Sequence, residues 1–323
     1  ERETRNTSAR EMGLRAIVAI CLWVGAAGFS PSAFVPKAPA AFRAVIDGGA
    51  GMTVGPTLMK RGRASGARGT KMEVGDLVQL GDAREVDQLP IEYVQSALGA
   101  ALADGNRLIE LEVPTVNRFK DCPLNIIFEA NTIYVRELVR MFMQPAELCL
   151  AFPDAKECEY ALEEYGGQVP FTITPMDNNR VDEMPGVDKV FVMNPCFDVR
   201  EFVRTEELWT QTLQPRGGSQ IVFNGDLFKL RSGGLMGYYP DFIFPAVAES
   251  RKRMMPQMVT AFYLRIFRGP PIGALYKCYP GPWQVLRAEE TEELGGYFRV
   301  LWEGDTQAPP DQSEVLSILQ KSQ

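Results

Sequence analysis

The segment "DKVFVMNPC", residues 188–196, indicates the class of fold. Its run of consecutive apolar residues is typical of a strand that is buried on both faces of a sheet. Asp198 and Glu201 follow at the spacing of a capping box, which predicts that a helix begins there. A buried strand that leads directly into a helix favours a parallel sheet covered by helices.

The same alternation of strand and helix extends from residue 90 to about residue 258. Strands are predicted at 107–115, 147–154, 171–176, 188–196 and 219–226. Helices are predicted from Pro90 to Gly105, at 124–143, up to Tyr165, after Asp198 and at 245–258. We therefore expect a mostly parallel, Rossmann-like α/β sheet with helices on both faces.

The C-terminal part of the chain follows a different pattern. Four apolar segments at 260–267, 273–280, 283–290 and 296–303 are separated by short turns. Strands joined in this way predict an antiparallel extension of the sheet, closed by a short helix at 313–319. We expect one α/β domain over residues 90–323.

Composition restricts the chemistry that the chain can perform. Its 323 residues include no histidine, which excludes Ser-His-Asp and Cys-His catalysis and histidine metal sites. The six cysteines form no Cys-x-x-Cys pair, so zinc is not expected, and no cofactor is predicted. Residues 72–323 hold 23 basic and 37 acidic residues, and an acidic body argues against nucleic acid as a partner.

The N-terminal residues have the layout of a targeting sequence. Upstream residues and a signal peptide are predicted over 1–34, where an apolar run follows Arg15; a buried N-terminal helix is the alternative. Residues 35–71 are basic and poor in acids, which is typical of a transit peptide, and 72–89 are expected to be a linker. This order resembles the bipartite presequence of complex plastids. We expect the mature protein in the stroma or at the stromal face of the thylakoid.

A loop rich in polar residues follows the fifth predicted strand. In an open α/β sheet, ligands bind beyond the carboxyl ends of the parallel strands. Four strands end in Pro114-Thr115, Pro153-Asp154, Asn194-Pro195 and Asn224-Gly225-Asp226, so these loops should share one edge. The candidate binding residues of the fifth loop are Asn224, Asp226, Lys229, Arg231, Ser232, Tyr238 and Tyr239. The pattern leaves open a structural or protein-contact loop, an anion or nucleotide site, and a catalytic loop.

Two further motifs have alternative interpretations. The turn "YPGPW" comprises Tyr279, Pro280, Gly281, Pro282 and Trp283, and it could be a packed structural turn or an exposed interface. Strand directions place this turn at the edge opposite the rim loop, so we expect Trp283 to lie away from Arg231. The basic run "SRKR", 250–253, is either a solvated helix face or a contact with anionic lipids.

Several segments resemble a known family. They are "NGDLFKLRSG", "GYYPDFIFP", "MMPQMVTAFYLRIFRG" and "LYKCYPGPWQVLR". Over about residues 88–320 the chain resembles the plastid and cyanobacterial domain of unknown function 1995, including the low photosystem II accumulation 3 proteins of chloroplasts. One departure is the stretch 234–237, which lengthens the rim loop relative to the family pattern.

The resemblance implies a role in photosystem II assembly. A non-catalytic factor of this kind binds assembly intermediates or the thylakoid insertase, with possible peripheral contact to the membrane. The family supplies no catalytic residues to transfer. The alternative hypothesis is an enzyme that binds an anion or nucleotide at the carboxyl edge of the sheet.

Overall fold

The computed structural model describes residues 77–79, 91–116, 123–176, 184, 186–195, 198–231, 238–267, 271–291, 294–304 and 308–321. The predicted signal peptide and transit peptide lie outside the described residues, as does Ser232 of the rim loop.

Within these residues the chain forms one sheet of ten strands. They are β1 (Leu77–Gln79), β2 (Leu108–Glu112), β3 (Leu148–Phe152), β4 (Thr172–Pro175), β5 (Lys189–Met193), β6 (Ser219–Phe223), β7 (Val259–Phe267), β8 (Gly273–Cys278), β9 (Trp283–Thr291) and β10 (Leu294–Gly304). The order is β1-β10-β9-β8-β7-β2-β6-β5-β3-β4. Strands β7 to β4 in this order pair in parallel, and β8, β9, β10 and β1 pair antiparallel.

The α-helices of four or more residues lie between successive strands from β1 to β7, except the last one, which follows β10. They are α1 (Ile91–Ala103), α2 (Leu124–Leu138), α3 (Ala155–Glu164), α4 (Val199–Glu207), α5 (Phe228–Arg231), α6 (Pro245–Met254) and α7 (Gln312–Lys321). The predicted capping box is present, because the Asp198 side chain accepts a hydrogen bond from the helix backbone and the Glu201 side chain accepts one from the Asp198 backbone N–H. The α/β fold and its C-terminal antiparallel extension are therefore confirmed.

The two faces of the sheet bury different residues, because side chains alternate along each strand. On the face covered by α1, α2 and α3, the core contains Ile109, Leu111, Phe191 and Phe223. The other face has two apolar clusters. One packs Leu108 and Val222 against α4 and α6, and the other packs Tyr263, Leu275 and Trp283 against α7.

The segment predicted as a linker contains a short strand. Leu77, Val78 and Gln79 pair with Arg299, Phe298 and Tyr297 of β10 at one edge of the sheet. Three residues are too few for a hydrophobic period to show in the sequence, so only the pairing with β10 reveals this strand. No helix among the described residues is both long and apolar enough to cross a bilayer.

The four polar strand ends lie at one edge of the sheet, as predicted. Strands β2, β3, β5 and β6 run in the same direction, so the residues after each of them meet at the edge that we call the carboxyl rim. The carboxyl rim comprises residues 113–116, 153–154, 194–195 and 224–226. It is the reference for the candidate site.

Candidate functional site

A buried asparagine network ties the carboxyl rim together. The side chain of Asn224 accepts a hydrogen bond from the Val113 N–H at 2.6 Å and donates one to the Val113 carbonyl at 2.9 Å. Its amide also donates to Asn131 Oδ1 of α2 at 2.7 Å, and Asn131 donates to Asn194 Oδ1 at 2.6 Å. These amides join the ends of β2, β5 and β6 to α2, so Asn224 has a structural role.

Asparagine suits these positions for a second reason. Asn194 and Asn224 both have a backbone φ of 50°, and Asp226 has a φ of 46°. Among residues other than glycine, Asn and Asp adopt this left-handed conformation most readily. The Asn-Gly-Asp sequence therefore turns the chain sharply at the rim, as its composition indicated.

The cations near Asp226 are held by that carboxylate. Lys229 Nζ and Arg265 Nη1 each lie 2.6 Å from an Asp226 oxygen. Lys229 also lies over the ring of Tyr238, with 5.1 Å between Nζ and the centroid, and Arg265 lies 4.6 Å from the Phe228 centroid. Both cations thus have an anionic partner and an aromatic neighbour, which weakens the case for an anion site in this loop.

Arg231 does not face the rim. It is the last residue of α5, and its guanidinium forms an ion pair with Glu110 in the middle of β2. Glu110 is fully buried, and its carboxylate also accepts a hydrogen bond from the Thr260 hydroxyl. Burial opposes the charge on Arg231, but the charge and hydrogen bond of Glu110 prevail and raise the pKa of Arg231 above its usual range. Arg231 is therefore part of the interior.

The predicted separation of Trp283 from Arg231 is wrong. The "YPGPW" turn lies at the opposite edge, since the Tyr279 hydroxyl donates to Asp104 at 2.8 Å and accepts from Asn106 at 3.3 Å, just before β2. Trp283, however, begins β9 with its side chain fully buried, and Arg231 Cζ lies 5.9 Å from its ring centroid. The two residues meet because α5 extends Arg231 along the sheet face towards Glu110.

The remaining residues of the two motifs are divided between surface and interior. Tyr238 is exposed, whereas Tyr239 is half-buried and packs edge-on against Phe244 at 5.4 Å. In the turn, Pro280 is exposed, and Gly281 and Pro282 are half-buried. The buried side chain of Trp283 therefore favours the interpretation of "YPGPW" as a packed structural turn.

Exposed apolar side chains concentrate beyond the carboxyl rim. Tyr238, Phe242 and Ile243 precede α6 and are 64%, 65% and 46% exposed. Leu124 and Ile126, at the start of α2, are 55% and 38% exposed. Met143 is the one other large apolar side chain that is exposed among the described residues, and it follows the end of α2. We call the first five residues the apolar rim surface.

Local structure explains why these residues are exposed. Asn131 is at the level of the rim, and Leu124 precedes it by seven residues of helix, so α2 projects roughly 10 Å beyond the sheet. On the opposite face, the segment before Pro245 turns at the same edge, because α6 runs from the rim towards the start of β7. The apolar rim surface therefore has one part on each side of the sheet.

The basic run 250–253 forms ion pairs on α6. Arg251 pairs with Asp241 at 2.9 Å, Lys252 with Glu249 at 2.8 Å, and Arg253 with Glu206 at 2.8 Å. A lipid phosphate would have to compete with these carboxylates. The geometry therefore favours a solvated helix face over a lipid contact.

Few of these features could be predicted from sequence patterns. The alternation in "LIELE" placed Glu110 and Glu112 on one face of a central strand, which was the available sign of a buried charged cluster. Phe242 and Ile243 occur in the segment "GYYPDFIFP", where apolar residues are as compatible with a core as with a surface. Their exposure depends on the turn before α6.

Away from the rim, a cavity of about 610 Å³ opens between Trp302 and α7 and is lined by Pro309, Pro310 and Ile318. Among the described residues, no group of three or more His, Cys, Asp or Glu side chains could hold a metal ion.

Comparison with known proteins identifies one family. The family model described as Domain of unknown function (DUF1995) matches residues 90–315. No curated protein and no solved structure matches the chain. The match covers helices α1 to α6, the parallel strands and the start of α7. It also covers both parts of the apolar rim surface.

Proposed function

The chain belongs to the DUF1995 family, and on this premise we propose that it is a non-catalytic assembly factor that binds a protein client of the photosynthetic membrane through the apolar rim surface. The client is a photosystem II assembly intermediate or the thylakoid insertase. The resemblance of the sequence to the low photosystem II accumulation 3 proteins motivates this choice. The plastid-type layout of residues 1–71 supports a location in the stroma or at the stromal face of the thylakoid.

The observation that carries the proposal is the exposure of Tyr238, Phe242 and Ile243 in one short segment. Contiguous exposed apolar side chains mark interaction surfaces, and aromatic residues are favoured anchors in protein interfaces. Lys229 lies over the Tyr238 ring and is paired with Asp226, so both supply charged groups at the border of the surface. This combination suits a protein partner with an apolar segment.

The polar groups of the rim favour binding over chemistry. The amides of Asn131, Asn194 and Asn224 hydrogen-bond to each other or to the backbone, and Lys229 is paired with Asp226. A general acid or base needs a titratable group directed towards a substrate. The side chains of Asn224, Asp226 and Lys229 are instead used to hold the strand ends and α5 in place.

Co-purification from solubilised thylakoids tests the proposal. A triple variant, Tyr238→Ser with Phe242→Ser and Ile243→Ser, removes the apolar side chains without changing the net charge. Met143→Ser is the matched control, because Met143 is 97% exposed and lies at the other end of α2. We expect photosystem II subunits or the insertase with the wild type and the control, and at least a tenfold loss with the triple variant.

Other outcomes would contradict the proposal. Equal recovery of the client with the triple variant would show that Tyr238, Phe242 and Ile243 are not the contact, and would contradict the proposal. Recovery of the protein in soluble fractions alone, with photosystem II unaffected by its depletion, would oppose the assembly role. Binding of the wild type to protein-free vesicles of thylakoid lipids, lost in the triple variant, would assign the surface to lipid.

The rival enzyme hypothesis has a direct test. A ligand at a hundredfold excess over its dissociation constant stabilises a protein by about 2.7 kcal/mol. We expect a panel of phosphate and nucleotides at millimolar concentration to leave the melting temperature unchanged. A clear rise that is lost in Lys229→Ala would support an anion site at the rim instead.

A further inference from the structure

Four buried polar atoms occur together on the sheet face that α5 covers. They are Glu110 Oε1, Arg231 Nε, Tyr263 OH and Trp283 Nε1, and none has a hydrogen-bond partner among the residues that the structure describes. Glu110, Tyr263 and Trp283 are each at most 1% exposed. A buried polar group without a hydrogen-bond partner destabilises a fold, and such groups are rare in native proteins, so four of them in one place need a structural explanation.

Contacts between their side chains hold the four residues in one cluster. Arg231 is bonded to Glu110 through its terminal nitrogen and lies over Trp283 at 5.9 Å. Tyr263 packs edge-on against Trp283, with 5.1 Å between the ring centroids. Tyr263 lies on β7, which pairs in parallel with β2, the strand that carries Glu110. Three strands and α5 therefore contribute to one polar interior.

The hydrogen-bonding capacities of the four atoms are complementary to one molecule. Arg231 Nε and Trp283 Nε1 are donors, Glu110 Oε1 is an acceptor, and the tyrosine oxygen can donate or accept. A water molecule accepts two hydrogen bonds and donates two. It can accept from the arginine and the indole and donate to the carboxylate and the phenol, which satisfies all four atoms.

We infer that Glu110, Arg231, Tyr263 and Trp283 form an internal binding site for one water molecule. A buried water makes about three hydrogen bonds to otherwise unpaired polar groups, and this site offers four. An anion would face the carboxylate of Glu110, and a cation would face the donors of Arg231 and Trp283, so a neutral molecule fits best. The water would join α5 to β2, β7 and β9, and would fix the base of the rim loop.

A high-resolution crystal structure of the full chain tests the site directly. We expect one ordered water within hydrogen-bond distance of at least three of the four atoms. The inference is overturned if the four atoms pair with one another, or if a residue of 232–237 occupies the position. It is also overturned if the site is dry.

A pair of tyrosine variants gives an independent thermodynamic test. The hydroxyl of Tyr134 is also buried without a described partner, but its ring stacks on Phe223 in the apolar core at 6.0 Å. Tyr134→Phe removes an unpaired hydroxyl, so it should leave the melting temperature unchanged or raise it. Tyr263→Phe removes a partner of the water and should lower the melting temperature by roughly 2–4 °C. An unchanged or higher melting temperature for Tyr263→Phe would contradict the water site.

Discussion

The guanidinium of Arg231 lies over the indole ring of Trp283, with 5.9 Å between Cζ and the ring centroid. One residue ends the short helix of the rim loop, and the other begins β9 after the turn at the opposite edge. Their contact is internal, because Trp283 is fully buried and the Arg231 side chain is 18% exposed. The rim loop is thus anchored to the sheet by the charged side chain of Arg231, which the sequence analysis had assigned to a binding site at the rim.

Loss of Arg231 should destabilise the fold. Arg231→Ala leaves the buried carboxylate of Glu110 without its cation, and breaking a buried pair in this way typically costs about 3–5 kcal/mol. Urea unfolding of the variant measures this loss. Arg200→Ala is the control, because Arg200 forms a solvent-exposed ion pair with Asp198, and such pairs contribute little to stability.

A compensating double variant separates charge burial from packing. Glu110→Leu with Arg231→Met replaces the ion pair by apolar side chains of similar size, and we expect it to recover most of the stability lost in Arg231→Ala. If the double variant is as unstable as Arg231→Ala, the stability lost in Arg231→Ala comes from packing or from the geometry of α5, and not from burial of an unpaired charge.

Removal of the Trp283 side chain should also be severe. Trp283→Ala leaves a cavity among Tyr263, Leu275 and Val315, and a buried tryptophan typically contributes about 3–5 kcal/mol. Tyr238→Ala removes a large aromatic side chain that is 64% exposed and should change the free energy of unfolding by less than about 0.5 kcal/mol. Equal effects of the two substitutions in chemical denaturation would contradict the assigned burial.

The sequence predicted the parts of the fold that local patterns determine. Apolar runs such as 189–193 identified the parallel strands, and Asp198 with Glu201 identified a helix start, because both signals lie within a few neighbouring residues. The polar strand ends at Asn194 and Asn224 were predicted to share one edge because their strands were predicted to run parallel. Strand β1 was missed because three residues carry no period.

The side-chain partners at the site could not be predicted in the same way. Arg231 and Glu110 are 121 residues apart in the chain, and their pairing depends on the direction in which α5 leaves the rim. Asp226 likewise forms ion pairs with Arg265 of β7, which is 39 residues away in the chain, and with the nearby Lys229. Exposure of Phe242 and Ile243 depends on how the segment before α6 turns. These are properties of the tertiary structure.

The asparagine network yields a matched comparison. Asn224→Gly and Asn194→Gly both retain a residue that tolerates a φ of 50°, so backbone strain is the same in the two variants. Asn224 loses three hydrogen bonds, two with Val113 and one with Asn131, whereas Asn194 loses one side-chain bond from Asn131. We expect a loss of about 3 kcal/mol for Asn224→Gly and about 1 kcal/mol for Asn194→Gly. Thermal unfolding that ranks them in the reverse order would contradict the network.

Glu157 should make stability depend on pH. Burial, followed by the charges of Asp154 and Glu201, raises the pKa of Glu157 from 4.5 to about 8 in the folded protein. Because the folded-state pKa is the higher one, the contribution of Glu157 to stability is fully present below pH 4.5 and is lost as pH rises through about 8. Glu157→Gln keeps the side chain neutral at every pH. The variant should therefore match the wild type near pH 4 and become progressively more stable than it up to about pH 8.5.

Denaturant unfolding at a series of pH values, with each variant compared to the wild type, measures this difference. Glu163→Gln makes the same change of charge at an exposed position of α3 and controls for net charge. We expect the difference for Glu157→Gln to grow between pH 4.5 and 8 and then level off, since ionisation is complete above the folded-state pKa. A constant difference across this range, or one that matches Glu163→Gln, would show that the Glu157 carboxyl is solvated in the folded protein.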